Sequence, residues 1–190
     1  MGVLTEATGW GPVDRLRTVT IRPVRDDDEE RLARFFGRLS RETLYRRFFT
    51  AMPRIAPSML DRLVHVDHHG REALVAIVHD EIVAEARYDR SSADPAAAEA
   101  AVVVEDGWQR LGIGAALLER LGKRAWDEGI DHFDATALST NQGPVRLAQA
   151  IAPIVQVRLD GSETQMIIPL HKRPKRASAR VPSSTLRITA

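Results

Sequence analysis

The element order read along the chain, β-α-α-β-β-β-α-β-α-β-β, predicts an α/β (α+β mixed) domain with a mixed sheet flanked by helices. Three observations carry this expectation. Three strand-like runs follow one another between residues 72 and 104. A strand–helix–strand unit then occupies residues 98–138. The 190 residues suit one domain with a sizeable core. Successive strands ahead of a single crossover unit argue against a doubly wound dinucleotide fold.

The elements are justified in order. "VTIRPV" (19–24) alternates and reads as a strand. Asp26 to Asp28 can cap the helix that follows, and Glu29 and Glu30 suit its positive end. Leu32, Phe35, Phe36 and Leu39 recur at helical spacing and define its buried face. Ser40 or Thr43 can open a second, short helical turn. "SMLDRLVHV" (58–66) reads as a short helix after Pro53 and Pro57. "EALVAIVHD" (72–80) and "EIVAEARYDR" (81–90) are strands joined tightly near Asp80 and Glu81. "AEAAVVV" (98–104) reads as a central strand. Residues 113–129 form a helix with Ile113, Leu117, Leu121 and Ala125 as one stripe and Gly129 as its stop. "DHFDATAL" (131–138) is a strand, and "GPVRLAQAIA" (143–152) a helix with Pro144 in its first turn. Two final strands flank "DGSE".

Residues 1–18 read as a loose segment, 19–170 as the folded domain and 171–190 as a disordered basic tail. That tail holds six cations and no acid, which leaves the preceding 170 residues at −5 under a whole-chain charge of +1. A solvated tail is preferred to one that contacts nucleic acid or acidic protein. The chain has no cysteine, which excludes disulfides, thiolate metal sites and a cysteine acyl-enzyme. No apolar run is long enough to span a bilayer, and the N-terminus lacks a secretory pattern, so a cytoplasmic location without a membrane partner is expected.

"QRLGIG" (109–114) sits between the central strand and the leucine-rich helix. A helix N-terminus exposes unpaired N–H groups and the positive end of the peptide dipoles, and glycine lets a ligand approach the backbone. Such a loop can hold phosphates. A plain strand-to-helix turn satisfies the same six residues, which lack the third glycine of a dinucleotide fingerprint.

Gln-x-x-Gly-x-Gly at this junction resembles the acetyl-coenzyme A signature of the GNAT superfamily of N-acetyltransferases. The element order resembles that fold from about residue 19 to 170, and "SRETLYRRFF" and "AEAAVVVEDGWQRLGIGAALL" resemble the catalytic domain of bacterial protein lysine acetyltransferases of the Pat type. The resemblance implies a mostly antiparallel central sheet and acetyl-coenzyme A as co-substrate. It places the pyrophosphate on the backbone of Arg110, Leu111, Gly112, Ile113, Gly114 and Ala115, with side-chain help from Gln109 and Arg110. It lays the pantetheine arm along Val102, Val103 and Val104, where neighbouring strands splay apart, and brings Asn141 to the coenzyme.

An amine acceptor, a protein lysine or a small molecule, is protonated at neutral pH, since a lysine pKa is about 10.4. A general base helps it lose that proton. A backbone N–H of Val103 or Val104 is expected to stabilise the oxyanion. Glu99 is the favoured base: it shares a strand face with Ala101, Val103 and Glu105, and small apolar neighbours are expected to desolvate it. The plainer reading is a glutamate at a solvated strand start, holding an arginine. Glu105 is the weaker base candidate. Many members of the family carry a general-acid tyrosine in the next helix. Here the tyrosines are Tyr45 and Tyr88, so no general acid is assigned. That departure keeps open an acyl-coenzyme A-binding regulatory module with weak turnover. "HVDHH" (65–69) invites a metal reading, but a polar loop before a strand is its simpler role, and no metal is expected. Nothing in the sequence fixes the oligomeric state.

Overall fold

The computed structural model describes residues 19–52, 54–152 and 155–170, with the backbone of 188–189. β1 (Val19–Pro23) leads into a single 3-10 turn and α1 (Glu29–Arg38). The expected face of α1 is the buried one, with Leu32, Phe35, Phe36 and Leu39 in the core. α2 (Arg41–Phe48) is a helix of eight residues where a short turn was expected, so three helices rather than two precede β2. Ser40 is its N-cap: the Ser40 hydroxyl accepts the Thr43 N–H at 3.1 Å. α3 (Pro57–Val64) carries Pro57 in its first turn.

β2 (Arg71–Val78) and β3 (Glu81–Arg90) form a hairpin closed by His79 and Asp80. Both turn residues have positive φ, 49° and 65°, the geometry that matches the right-handed twist of paired strands. No glycine supplies it. Arg31 of α1 steadies the turn instead, donating to the Asp80 carbonyl at 3.1 Å and its carboxylate at 2.7 Å. β4 (Ala97–Val104) follows, then α4 (Ile113–Asp127), β5 (His132–Leu138), α5 (Gly143–Ile151), β6 (Gln156–Asp160) and β7 (Glu163–Pro169). Gly129, at φ +78°, stops α4, and the Ile130 N–H returns to the Ala125 carbonyl at 2.9 Å, a Schellman closure.

The strands lie in the order β6-β7-β5-β4-β3-β2-β1. Neighbours are antiparallel except β4 and β5, which run parallel. The backbone of Ile188–Thr189 (β8) pairs parallel with β1, whereas residues 1–18, 171–187 and 190 lie outside the described residues. Each face of the sheet has its own apolar cluster. α1, α2 and α3 cover one, around Val75, Ile82 and Val103. α4 and α5 cover the other, around Ala84, Tyr88, Ala100 and Phe133. No helix among the described residues is long and apolar enough to cross a membrane.

One buried acid ties the start of the domain together. Asp28 is fully buried and accepts from Arg22 at 2.6 and 2.7 Å and from the Arg25 N–H at 3.0 Å. Burial alone would raise its pKa; the hydrogen bonds and charge of Arg22, the Arg25 N–H and the charge of Arg31 outweigh it and hold the carboxyl below its ordinary value. A depressed folded pKa stabilises the fold above the unfolded value of about 3.9 and ceases to do so as pH falls through the folded value. Asp28→Asn should therefore cost roughly 1.5–3 kcal/mol at pH 7. In urea denaturation series, the gap between variant and wild type should close as pH drops below about 4.

Candidate active site

β4 and β5 hold a parallel ladder over Ala97↔His132, Ala98↔Phe133 and Glu99↔Asp134, and then part. On their other edges pairing continues: β4 with β3 to Val104, β5 with β7 to Leu138. The gap opens a cleft of about 670 Å³. Its walls are Ala100–Val104 of β4, Ala135–Ala137 of β5, the N-terminal turns of α4 and α5, and the C-terminal end of α2. The wall residues of the two strands include Ala100, Ala101, Ala135 and Ala137, so no large side chain fills the space.

Strand alternation decides which backbone groups face the gap. The Glu105 N–H donates to Val83 and the Ala97 carbonyl accepts from Ser91, so odd-numbered residues of β4 turn toward β3. The Ala96 carbonyl accepts from Asp131 and His132, so even-numbered residues turn toward β5. Val102 and Val104 thus present their N–H and C=O to the gap, whereas the Val103 N–H points to β3. The Val104 carbonyl accepts from Gln109 Nε2 at 3.1 Å. Gln109 therefore ties the loop to β4.

The glycine loop begins α4 without any side-chain cap. Gly112 is the N-cap residue and has φ +85°, which a side chain would strain. Arg110 also takes a positive φ, 62°. The N–H groups of Ile113, Gly114 and Ala115, in the first turn, have no intrahelical partner. Gly114 answers to a different need. A Cβ there would meet Val104 and Leu147 at 3.5 Å, ordinary contact, so the protein itself does not demand glycine. Gln109, Arg110, Gly112, Gly114, Ala115 and Asn141 line the cleft; Leu111 and Ile113 do not, and Ile113 is a core residue. Asn141 Oδ1 accepts the Gly143 N–H at 3.2 Å and shapes the start of α5. Trp108 packs against the core below the loop.

Glu99 lines the cleft at the last position where β4 pairs with β5. Its side chain is exposed, which corrects the expectation that alanine and valine neighbours would desolvate it: it stands at the open mouth of the gap. Glu105 lies outside the cleft wall and is held by Arg38 at 3.2 Å. Neither tyrosine lines the cleft. Tyr88 is buried, donates to the His69 carbonyl at 3.0 Å and is pushed up to about 12 by burial and the nearby carboxylates of Glu72 and Glu128. The histidines of the 65–69 loop diverge onto separate acids: His65 to Asp61, His68 to Glu72 and His69 to Glu128. Asp67 accepts the N–H groups of His69 and Arg71 at 2.8 Å, the hydrogen bonding of a turn.

Sequence reasoning assigned no role in the cleft to α2. Thr43, Arg46, Arg47, Phe48 and Phe49 line it. Asp106, in the turn after β4, fixes α2 there by accepting from the Ser40 N–H at 3.0 Å, the Ser40 hydroxyl at 2.8 Å and the Thr43 hydroxyl at 2.8 Å. Burial pushes the Asp106 pKa up, but these donors prevail and lower it. The available signal was "SRET", a Ser with Thr three residues on at a helix start, with the acid Asp106 of "EDG" as a partner.

A cleft between parting parallel strands, with free amides at a glycine-capped helix and cations at Arg110 and Arg146, suits an acyl carrier bearing phosphates. Residues 32–151 match the model of the acetyltransferase (GNAT) family, and the chain belongs to that family. It is 32% identical over 159 residues to the acetyltransferase PA5475 of Pseudomonas aeruginosa, covering 82% of this chain and 84% of that one. Acetyltransferase Pat of Mycolicibacterium smegmatis is 29% identical over 136 residues, 70% of this chain but only 40% of the relative. The solved GNAT domain of S. lividans PAT superposes with a TM-score of 0.74 at 30% identity, covering 79% of this chain and 89% of that one. A cAMP-binding acyltransferase from Mycobacterium smegmatis gives 0.56 at 24% identity, covering 80% and 43%. The protein is thus an acetyltransferase whose co-substrate is acetyl-coenzyme A, and the free amides of α4 and the unpaired edge of β4 fit that ligand.

Gly112→Asp would set a carboxylate against bound phosphates. Coenzyme A affinity, read by calorimetry, should fall by roughly a hundredfold or more, as a like-charge contact near a surface predicts. The circular dichroism spectrum should persist, because Asp tolerates left-handed backbone better than most residues.

Proposed function

We propose that the acetyl group passes directly from acetyl-coenzyme A to an amine acceptor, a protein lysine in the first instance, with Glu99 as general base. The observation that carries this reading is that Glu99 is the one carboxylate in the cleft wall among the described residues. It sits where β4 leaves β5, beside the edge that presents the Val102 and Val104 amides. Acetyl-coenzyme A supplies the reactive thioester. Glu99, directly or through water, takes the proton that an ammonium acceptor must lose. The Val104 N–H, aimed into the gap, is assigned to the carbonyl oxygen that becomes negative, in preference to Val103, whose amide belongs to the β3 ladder. The phosphates are assigned to the backbone from Arg110 to Ala115. No tyrosine stands in the cleft wall, so the departing thiolate takes its proton from water. Similarity to two Pat-type chains, at 29% and 30% identity, supports a protein lysine over a small amine.

Coenzyme A release against a panel of lysine peptides and small amines tests the acceptor. Peptides should be the better substrates; absence of turnover with every amine would favour an acyl-coenzyme A-binding module. Glu99→Gln should lower the rate with the best acceptor roughly 10²–10⁴-fold at pH 7 and leave coenzyme A affinity nearly unchanged. The deficit should narrow at high pH, where more of the amine is already neutral. A near-full rate with the wild-type pH profile would make Glu99 structural.

A further inference from the structure

Arg47 is the anomaly in the cleft. Its side chain is only 14% exposed, yet among the described residues it makes no hydrogen bond, and its Nε is wholly buried without a partner. A guanidinium carries five donors, and a buried one left unmet is costly. The nearest acid is Glu85, at 3.9 Å. That carboxylate is already taken: Arg87 holds both its oxygens, at 2.8 and 3.0 Å, and is itself anchored to the Leu63 carbonyl at 2.9 Å. One buried and one largely buried guanidinium therefore stand beside one buried carboxylate, whose oxygens are both taken by Arg87. Asp89, next along the same face of β3, is engaged by Arg71 at 2.7 Å. Glu99 lines the same cleft but lies beyond ion-pair distance of Arg47. The Phe48 ring, 4.8 Å from the guanidinium carbon, offers cation–π contact and no acceptor. Burial, helped by the neighbouring Arg87 cation, outweighs the pull of Glu85, Glu99 and Asp89 and lowers the Arg47 pKa.

The position of this cation limits what can neutralise it. Glu85 and Arg87 pair across the ladder with Val103 and Ala101, on the sheet face covered by α1, α2 and α3. The residues that receive the coenzyme, Gly112 to Ala115, open α4 on the opposite face. Arg47 thus reaches the cleft from the α2 side, over the stretch of β4 between Glu99 and Val103, where the acceptor must lie to be within reach of the base.

We propose that Arg47 receives a carboxylate carried by the acceptor close to its reacting amine, and so selects acidic acceptors. This rests on the acetyltransferase reading of the cleft and goes beyond it in naming the acceptor's chemistry. The carboxylate comes from an acidic residue beside a target lysine or from the free carboxylate of an amino acid. A planar guanidinium with unused donors suits either.

The test pairs probes that differ only in that charge. Calorimetry on the full chain with coenzyme A bound compares a lysine peptide flanked by Glu with the same peptide flanked by Gln, and free lysine with lysine amide. Wild type should bind the carboxylate member of at least one pair roughly tenfold or more tighter, and the pair that discriminates identifies the source. In Arg47→Gln that ratio should fall to about one. Thermal unfolding separates this from misfolding: removing an unmet buried cation should leave the melting temperature unchanged or raised. Equal affinity within both pairs, including no binding to any probe, overturns the proposal, as does a preference that survives Arg47→Gln. Equally damaging is a wild-type preference for succinyl- over acetyl-coenzyme A that Arg47→Gln abolishes, because the carboxylate would then belong to the acyl group. Binding is read without turnover, so a failure of acetyl transfer itself leaves this result standing.

Discussion

β4 and β5 share a ladder for three residue pairs and then separate, and the rest of the site depends on that interruption. Buried backbone N–H and C=O groups need partners, and a sheet supplies them by pairing each strand edge. Here the edge of β4 at Val102 and Val104 has none from β5. A gap of this kind is tolerable when something polar and extended can enter it. Alanines at positions 100, 101, 135 and 137 keep the gap open, since bulkier residues would close it by packing. β5 is not lost from the sheet, because β7 pairs with it from His132 to Leu138 and holds it in place.

The glycine loop lies at the end of the same strand, so the two halves of the binding surface are built by one continuous segment. Its geometry is secured from outside. Gln109 returns to the Val104 carbonyl, and Asp106 collects donors from Ser40 and Thr43 of α2. The carboxylate of Asp106 thereby couples the cleft wall formed by α2 to the turn before α4. α2 ends at Phe49, which adopts a left-handed conformation at φ +57° and lines the cleft. A bulky residue held in that region marks local strain of about 1–3 kcal/mol, maintained by the packing around it. Arg47, with its unpartnered guanidinium Nε, stands two residues earlier, in the last turn of the same helix. Strain and unpaired charge are concentrated where α2 meets the cleft, and the apolar clusters on both faces of the sheet offset their cost.

The sequence by itself determined the succession of the seven strands from β1 to β7, the mixed sheet, the buried face of α1, the stripe of α4 and the loop that opens it, because each is written in local periodicity, capping or glycine placement. Gly112 and Gly129 were legible for that reason: both take the positive φ that only local backbone demands. α2 was underestimated because its strongest tie, Ser40 and Thr43 to Asp106, joins residues more than sixty positions apart. Glu99 was legible as a residue facing the site, but not as an exposed one, since alternation names a face without saying what covers it. The parting of β4 from β5 was expected through the family resemblance and not from any local pattern; only the tertiary structure decided that the Val104 amide rather than that of Val103 turns into the gap, and that Glu85 is spent on Arg87 and leaves Arg47 without a hydrogen-bond partner. Each of these depends on which strand or helix stands beside another, and no local pattern carries that information.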